Sequence, residues 1–304
     1  MPTCIIVNPG AGSVEDVEAF ESALAHLPDS EVRRTEAAGD AERLAREAVL
    51  GGADLVVAAG GDGTLNEVIN GLSEDFGKAR LGLIPMGTGN DFARSIGVPN
   101  DLEGALAILL EGTVRSLDVA RATIGDTCRC FINMSVGGFS GEVSERASEA
   151  KETWGPLAYL RGAIGALPEL KGFLTTITLN GGETLSLETF NIVVANGRYV
   201  ASGIPAAPTA VLDDGLLDVV ISPMTTLPQL AVLMPQVLLG RHLESDLLLF
   251  RRATRVEIEC DPPMAFNVDG ELIGEGTARF EILPRALQVI VGSTVEDGVF
   301  SAGT

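Results

Sequence analysis

Two short stretches carry residues whose types and spacing suit phosphate chemistry. Residues 60–66 read Gly-Gly-Asp-Gly-Thr-Leu-Asn and follow the apolar run Leu55–Ala59. Residues 87–94 read Gly-Thr-Gly-Asn-Asp-Phe-Ala-Arg and follow a second apolar run, Leu81–Ile84. Consecutive glycines at the end of a buried strand let backbone approach a polyphosphate and turn free N–H groups toward its oxygens. A carboxylate among them, Asp62, can take an accompanying Mg²⁺ through oxygen. The plain alternative is a glycine-rich strand-to-helix turn, and it weakens because the pattern occurs twice.

Familiar phosphate signatures are absent. Gly77-Lys78 is followed by alanine, so there is no Gly-x₄-Gly-Lys-Ser/Thr loop, and no His-Arg-Asp triplet occurs. The glycine pairs at 10/12, 61/63 and 87/89 never extend to Gly-x-Gly-x-x-Gly. A phosphate site must then be assembled from separate strand ends. These are Asn8-Pro9-Gly10-Ala11-Gly12-Ser13, Thr35 shortly before Gly39-Asp40, Gly60–Glu67, and Gly87–Asp91.

Hydrophobic periodicity supplies the elements that would hold these ends. Cys4–Val7, Glu31–Thr35, Leu55–Ala59 and Leu81–Ile84 read as strands. Val14–Leu27, Asp40–Leu50, Leu65–Leu72, Asp91–Ser95 and Leu102–Leu110 read as helices, with Asp40 as an N-cap. This alternation predicts an α/β domain over residues 1–120, a doubly wound parallel sheet with its ligand at the strand C-termini. Farther on, Phe173–Leu179, Leu185–Val194, Leu216–Ile221, Arg255–Cys260, Ala278–Leu283 and Leu287–Val291 read as strands. They predict a mainly antiparallel β domain over 121–292, with helical inserts at Gly141–Leu170 and Leu227–Leu249. Residues 293–304 are expected to pack back on the first domain.

Composition narrows the class. With 304 residues and 46% hydrophobic content the chain can bury two cores. Its net charge of −21 argues against nucleic-acid binding and against a strong electrostatic grip on anionic lipid. Four cysteines and two histidines suggest neither a disulfide scaffold nor a zinc site. The longest apolar candidate, Leu227–Gly240, is broken by Pro228, Gln229, Pro235 and Gln236, so no spanning segment is expected. The N-terminus has no basic region ahead of its apolar stretch, and a cytoplasmic protein is expected, peripherally membrane-associated at most.

Taken together, the motifs resemble the diacylglycerol-kinase catalytic family, soluble lipid kinases that include bacterial diacylglycerol kinases and the sphingosine and ceramide kinases. The resemblance runs through Asn-Pro-x-x-Gly at 8–12, Gly-Gly-Asp-Gly-Thr-Leu-Asn-Glu at 60–67 and Gly-Thr-Gly-Asn-Asp-Phe-Ala-Arg at 87–94. It continues through Gly155-Pro156-Leu157-Ala158-Tyr159, Asp213-Asp214-Gly215-Leu216-Leu217-Asp218 and Asp269-Gly270-Glu271. The Gly-Gly-Asp-Gly-Thr element alone is shared with NAD kinases.

The resemblance implies an ATP- and Mg²⁺-dependent kinase acting on a lipid hydroxyl. Asn8, Pro9, Gly10, Ala11, Gly12, Thr35, Gly61, Asp62, Gly63, Thr64, Leu65, Asn66, Glu67 and Thr88 would line the ATP site. Asp62 would organise the phosphates through Mg²⁺ or its water, supported by Asp91 and Asp118. A structural Mg²⁺ would be held by Asp214 and the carbonyls of Val211 and Leu216. Glu271 would be the general base, in a turn between strands ending near Phe266 and starting near Ala278. The physics agrees, since phosphoryl transfer asks for alignment, charge neutralisation and one base for the alcohol. Each acid considered alone reads first as a solvated surface carboxylate, one of 42 in the chain, and flanking glycines weaken that reading for Asp62, Asp214 and Glu271.

One position departs from the family pattern. Many members carry Lys or Arg just after Asn-Pro-x-x-Gly, and this chain has Ser13, leaving Arg94, Arg33 or Arg34 as substitutes. A NAD-kinase-like enzyme with a soluble acceptor, or a catalytically weak nucleotide- or lipid-binding regulator, are the alternatives. Expected partners are a lipid presented at a membrane surface and, as an open expectation, a second copy of the chain. The two expected inserts are the candidate acceptor-binding helices, with core helices as the plain alternative. Arg251, Arg252 and Arg255 read as a solvated strand edge, and His242 as a packed or capping residue.

Overall fold

The structure, a computed structural model, describes residues 2–11, 24, 29–138 and 171–301. The chain divides into two compact units. One comprises the residues up to Val119 together with those from Pro284 onward, and the other is Ala120–Leu283.

The first unit holds a parallel sheet of β1 (Thr3–Val7), β2 (Ser30–Arg34), β3 (Leu55–Gly60) and β4 (Arg80–Pro85), in the order β2-β1-β3-β4. Beyond β4 lies the C-terminal part of β17 (Ala278–Val291), parallel to it with Val289 opposite Leu81. All six residues of β3 are buried, as are Cys4–Val7. Burial on both faces explains why these strands read as continuous apolar runs. The helices are α1 (Asp40–Leu50), α2 (Asp62–Leu72), α3 (Asp91–Ser95) and α4 (Leu102–Glu111). Helix α1 buries Ala41, Leu44, Ala45 and Ala48, one face of a 3.6-residue repeat. Asp101 caps α4 by accepting the Gly104 N–H at 2.8 Å. The strand order reverses between β1 and β3, which is where an open α/β sheet leaves a crevice for ligand.

Several boundaries differ from expectation. The N-cap of α1 is Gly39, at φ 84°, not Asp40. The Asp40 carboxylate reaches backward instead, accepting the N–H groups of Glu36 and Ala37 at 2.8 and 2.9 Å. Helix α2 begins at Asp62, so the second half of the glycine motif forms its first turn. Of the helix expected over Val14–Leu27 only Leu24 is described, helical and fully buried. The insert expected at 141–170 lies outside the described residues.

The second unit is antiparallel. Its strands are the end of β5 (Thr113–Ile124), β6 (Thr127–Phe131), β7 (Met134–Gly138), β8 (Phe173–Leu179), β9 (Glu183–Ala195), β10 (Tyr199–Val200), β11 (Ile204–Pro205), β12 (Leu217–Pro223), β13 (Leu249–Ala253), β14 (Arg255–Asp261), β15 (Ala265–Val268), β16 (Glu271–Glu275) and the start of β17. The long β9 pairs with β8, β7 and β12. Its residues alternate between two cores. Ile192 and Val194 join the larger one with Leu217, Val219 and Ile221, while Val193 and Ala195 join a smaller one with Val220 and Met134. Phe280 anchors the larger core, with Phe131 and Phe266 edge-on at 6.3 and 5.8 Å between ring centroids. The helical insert expected over Leu227–Leu249 is shorter. It consists of α5 (Leu227–Leu238), a 3₁₀ turn at His242–Glu244 and the first residue of β13. The two strands expected over 278–291 are one, because Arg285 takes φ 49° after Pro284 and the strand resumes.

Helices α1 and α2 cross at Gly71, where a β-carbon would meet the Glu42 carbonyl and lie 2.7 Å from the Ala45 methyl. Gly71→Ala is therefore expected to lower unfolding free energy by about 1–3 kcal/mol, outweighing the helix-propensity gain of about 1. Urea unfolding checks this, and an unchanged midpoint would mean that the helices separate freely.

Candidate active site

Three strand ends of the first unit converge through glycine. A β-carbon on Gly87 would sit 2.6 Å from the Gly61 Cα and 2.9 Å from Asn90 Oδ1, and a β-carbon on Gly60 would collide with the Thr64 side chain. The two glycine motifs are thus in backbone contact, and side chains there would push them apart. Asn8 joins them from β1. Its N–H donates to the Ala59 carbonyl at 2.9 Å, and its Nδ2 donates to Thr64 Oγ1 at 3.0 Å. Its Oδ1 accepts the Gly10 N–H at 3.0 Å, closing the Pro9-Gly10 turn. Thr35 follows β2, its N–H donating to the Val7 carbonyl at 2.9 Å. Gly63, Pro9, Gly10 and Thr88 are exposed around this junction, and Ala11 is half-buried. Gly12 and Ser13 lie outside the described residues.

Three of the candidate acids in this unit, Asp62, Glu67 and Asp118, hold backbone. Asp62 Oδ1 accepts the Asp91 N–H at 2.9 Å, tying the start of α2 to the start of α3. Burial pushes the Asp62 carboxyl above its ordinary value, while N–H groups of Phe92, Asp91 and Asn90 pull it back. Glu67 does not stand free for a nucleotide, since its two oxygens accept the Gly39 and Ala41 N–H groups, each at 3.0 Å. Leu65 and Asn66 are buried within α2, where Asn70 Nδ2 donates to the Asn66 carbonyl at 2.9 Å. Asp118 is fully buried and its Oδ1 accepts the Arg285 N–H at 2.6 Å, fixing the kink in β17. Among the described residues no three His, Cys, Asp or Glu side chains cluster closely enough to cage a metal ion. Asp62, Asp91 and Asp118 therefore do not form a cage by themselves. Mg²⁺ tolerates this, because it commonly keeps its waters and binds one or two carboxylates plus substrate phosphates. Arg33, a candidate substitute for the missing cation, pairs with Glu31 at 2.8 Å.

In the second unit Asp214 sits half-buried in the loop before β12, its Oδ1 accepting the Leu216 N–H at 3.0 Å. Its Oδ2 lies 3.5 Å from Arg252 Nη1, and Arg252 Nε binds Asp218 at 2.8 Å. Burial raises the carboxyls of both Asp214 and Asp218, against the Leu216 N–H and Arg252 at the first and Arg252 at the second. One guanidinium thus serves two desolvated acids beside Asp213. An oxygen donor set of Asp214 and the Val211 and Leu216 carbonyls suits a hard cation, and the excess negative charge favours one.

Glu271 is exposed and opens β16, a strand that lies where a turn between Phe266 and Ala278 is expected. It follows a two-residue hairpin turn, Asp269 and Gly270, with φ 45° and 94°. Asp269, in the same motif, holds the hairpin in place. Its carboxylate accepts the N–H groups of Ile132, Asn133 and Met134 at 3.0, 3.1 and 3.0 Å. The hairpin tip is thereby pinned to the loop between β6 and β7. Asp-Gly between apolar runs was the available signal for it.

The amino-acid sequence of residues 2–122 matches the family described as the diacylglycerol kinase catalytic domain. Residues 134–291 match the YegS C-terminal NAD kinase beta sandwich-like domain. Proteins named diacylglycerol kinase from Staphylococcus aureus strains MRSA252 and bovine RF122 / ET3-1 are 34% identical over 300 residues, covering 96% of this chain and 92% of theirs. The chain belongs to the diacylglycerol kinase family. The solved structure of a diacylglycerol kinase from Bacillus anthracis str. Sterne is similar in fold. Its TM-score is 0.81 at 26% identity, over 96% of this chain and 97% of that one. The α/β unit and the β sandwich-like unit described above, predicted from the alternation of strands and helices, are the architecture of this diacylglycerol kinase family.

The Asp62 shift has a consequence for stability. A carboxyl whose folded pKa is raised binds its proton more tightly when folded. The ionised form therefore opposes folding, and stability falls as pH rises from about 3.9 through the raised value. Asp62→Asn keeps an oxygen for the Asp91 N–H and removes the charge. Without ligand the variant should be at least as stable as the parent at pH 7, with the difference shrinking toward pH 4. Thermal melts across that range test it, and a clearly less stable variant at pH 7 would contradict the assignment.

Proposed function

We propose that the chain transfers the γ-phosphate of ATP to a hydroxyl of a lipid such as diacylglycerol. The observation that carries the reading is the backbone contact of two glycine motifs at the C-terminal strand ends of an α/β unit, locked by Asp62. The relatives' name, diacylglycerol kinase, favours a lipid acceptor over the soluble acceptor of a NAD-kinase-like enzyme.

Exposed backbone at Gly10, Gly63 and Thr88 can follow the phosphates, and Asn8 and Thr64 hold that surface in place. The first turn of α2 adds the positive end of a helix dipole. Asp62, backed by Asp91 and Asp118, would face the nucleotide's Mg²⁺ through water. When bound, Mg²⁺ neutralises phosphate charge. Asp214 with the Val211 and Leu216 carbonyls would hold a second, structural ion. Glu271 takes the hydroxyl proton as the alcohol attacks, and its position is set by Asp269. Peripheral, reversible contact with a lipid surface belongs to this proposal. Among the described residues no helix is long and apolar enough to cross a membrane.

Glu271→Gln preserves shape and removes the base. A loss of about 10²–10⁴ in kcat, with ATP affinity unchanged, is expected from steady-state rates on a lipid acceptor and nucleotide calorimetry. Unchanged kcat would remove Glu271 from the mechanism.

If Asp214 holds an ion that stabilises the fold, chelation should lower the thermal midpoint of the parent and move Asp214→Ala much less. Equal shifts in both proteins would place the ion elsewhere.

A further inference from the structure

We propose that helix α5 is a membrane-contact element whose outward face seats at the headgroup–acyl boundary of a zwitterionic lipid surface. The inference rests on the lipid-kinase reading and names the surface by which the enzyme would reach its acceptor.

No ionisable side chain occurs between Asp218 and Arg241, in a chain of net charge −21. Within this stretch α5 packs inward through Leu230 and Leu233. Outward it shows apolar residues to water, with Leu227 53%, Val232 59%, Leu238 47% and Leu239 70% exposed. At about 100° per residue, these four together with Pro228, Ala231 and Pro235 fill an arc of about 140°. The polar side chains Gln229 and Gln236 share a narrow strip beside that arc. A surface helix of a globular protein ordinarily turns charged and polar residues to solvent, and this one does not.

The inner side of α5 is apolar as well. Leu230, Leu233 and Met234, with Val136, Phe190 and Val220, line an apolar cavity of about 130 Å³. The helix is therefore a thin wall between an apolar cavity and an apolar exterior. A lipid surface gives the outward apolar face hydrocarbon to meet in place of water. A second copy of the chain would cover the outer face only, and would bring up another body of net charge −21. At 12 residues α5 is about 18 Å long, too short to span a bilayer and suited to lie in its plane. It is firmly started, with Pro228 in its first turn and the Thr226 and Gln229 side chains and backbones forming a capping box. Arg241, exposed just past its C-terminal end, can reach headgroups while the helix lies among acyl carbons.

Because the contact is apolar, its response to charge is distinctive. Binding should occur on phosphatidylcholine vesicles, change little between about 0.05 and 0.5 M salt, and gain nothing from added anionic lipid. Flotation of the full chain with such vesicles tests this. The double variant Val232→Glu with Leu239→Glu should partition about ten-fold or more weaker. Circular dichroism and the thermal midpoint verify its fold, and Val232→Ala with Leu239→Ala should show a smaller loss in the same direction. Equal partitioning of parent and variants would overturn the proposal. So would binding that requires anionic lipid and disappears in salt. A sedimentation change from dimer to monomer in the variants, with vesicle binding intact, would assign the face to a second copy instead. Kinase assays separate this from the function itself. On a short-chain diacylglycerol dispersed in water the glutamate variant should match the parent, and on vesicle-borne diacylglycerol it should be the slower. If the parent phosphorylates neither substrate yet floats as described, the proposed function fails and the lipid surface stands.

Discussion

The bond from the Asp91 N–H to Asp62 Oδ1, 2.9 Å long, exists only because two loops are allowed to touch. Gly61 and Gly87 have no β-carbon, and one on Gly87 would lie 2.6 Å from the Gly61 Cα. Parallel pairing of β3 and β4 delivers these loops in register, with Gly60 opposite Pro85 and the Met86 N–H donating to the Gly60 carbonyl at 2.9 Å. Asn8 then adds the end of β1 through Thr64. The helix starts of α2 and α3 follow from the same contact. The junction is close-packed, with about 10 Å³ left among Gly61, Asp62, Leu65 and Asn90, room for one water at most. A side chain at Gly60, Gly61 or Gly87 would disturb geometry before it disturbed chemistry.

The second unit uses the same device in a different setting. Asp269 gathers three consecutive backbone N–H groups, while the carbonyl of Asn133 accepts the N–H groups of Asn196 and Gly197 at 2.8 and 2.7 Å. The backbone of the loop between β6 and β7 is thus satisfied by side chain on one side and backbone on the other. An acid beside a glycine holds the frame, and its neighbour Glu271 is left exposed. Buried polar groups satisfied in this way specify a single geometry, and half-satisfied ones would be costly.

What was legible in the sequence follows burial. Strands β1, β3 and β4 announce themselves because both faces are covered, leaving uninterrupted apolar runs. Strand β5 does not, because it carries Arg115, Asp118 and Arg121, and only the packed structure shows Asp118 turned inward onto Arg285. Strand β16 is short and interrupted by Gly274, so it carries no legible pattern although Asp269-Gly270 marks the turn before it. Motif spacing drew attention to the glycine loops, Asp214 and Glu271. It could not reveal that Glu67 holds the start of α1, or that Arg252 stands between Asp214 and Asp218. Those contacts join residues 26 to 38 positions apart, a separation that no local pattern encodes.

The α/β unit is discontinuous, and synthesis makes that matter. Strand β4 acquires its outer neighbour only when Val289 arrives opposite Leu81. The same late segment brings Gly292, whose N–H donates to the Ile96 carbonyl at 2.9 Å and whose missing β-carbon leaves room for Gly97. On the ribosome the first 119 residues therefore emerge with an open parallel edge, and they wait for the whole intervening unit before it is covered. An uncovered edge is a template for unwanted pairing. Expression of the N-terminal portion alone would keep that edge bare permanently. A workable fragment of this half has to be spliced, with residues 284–301 joined behind residue 119 by a short linker.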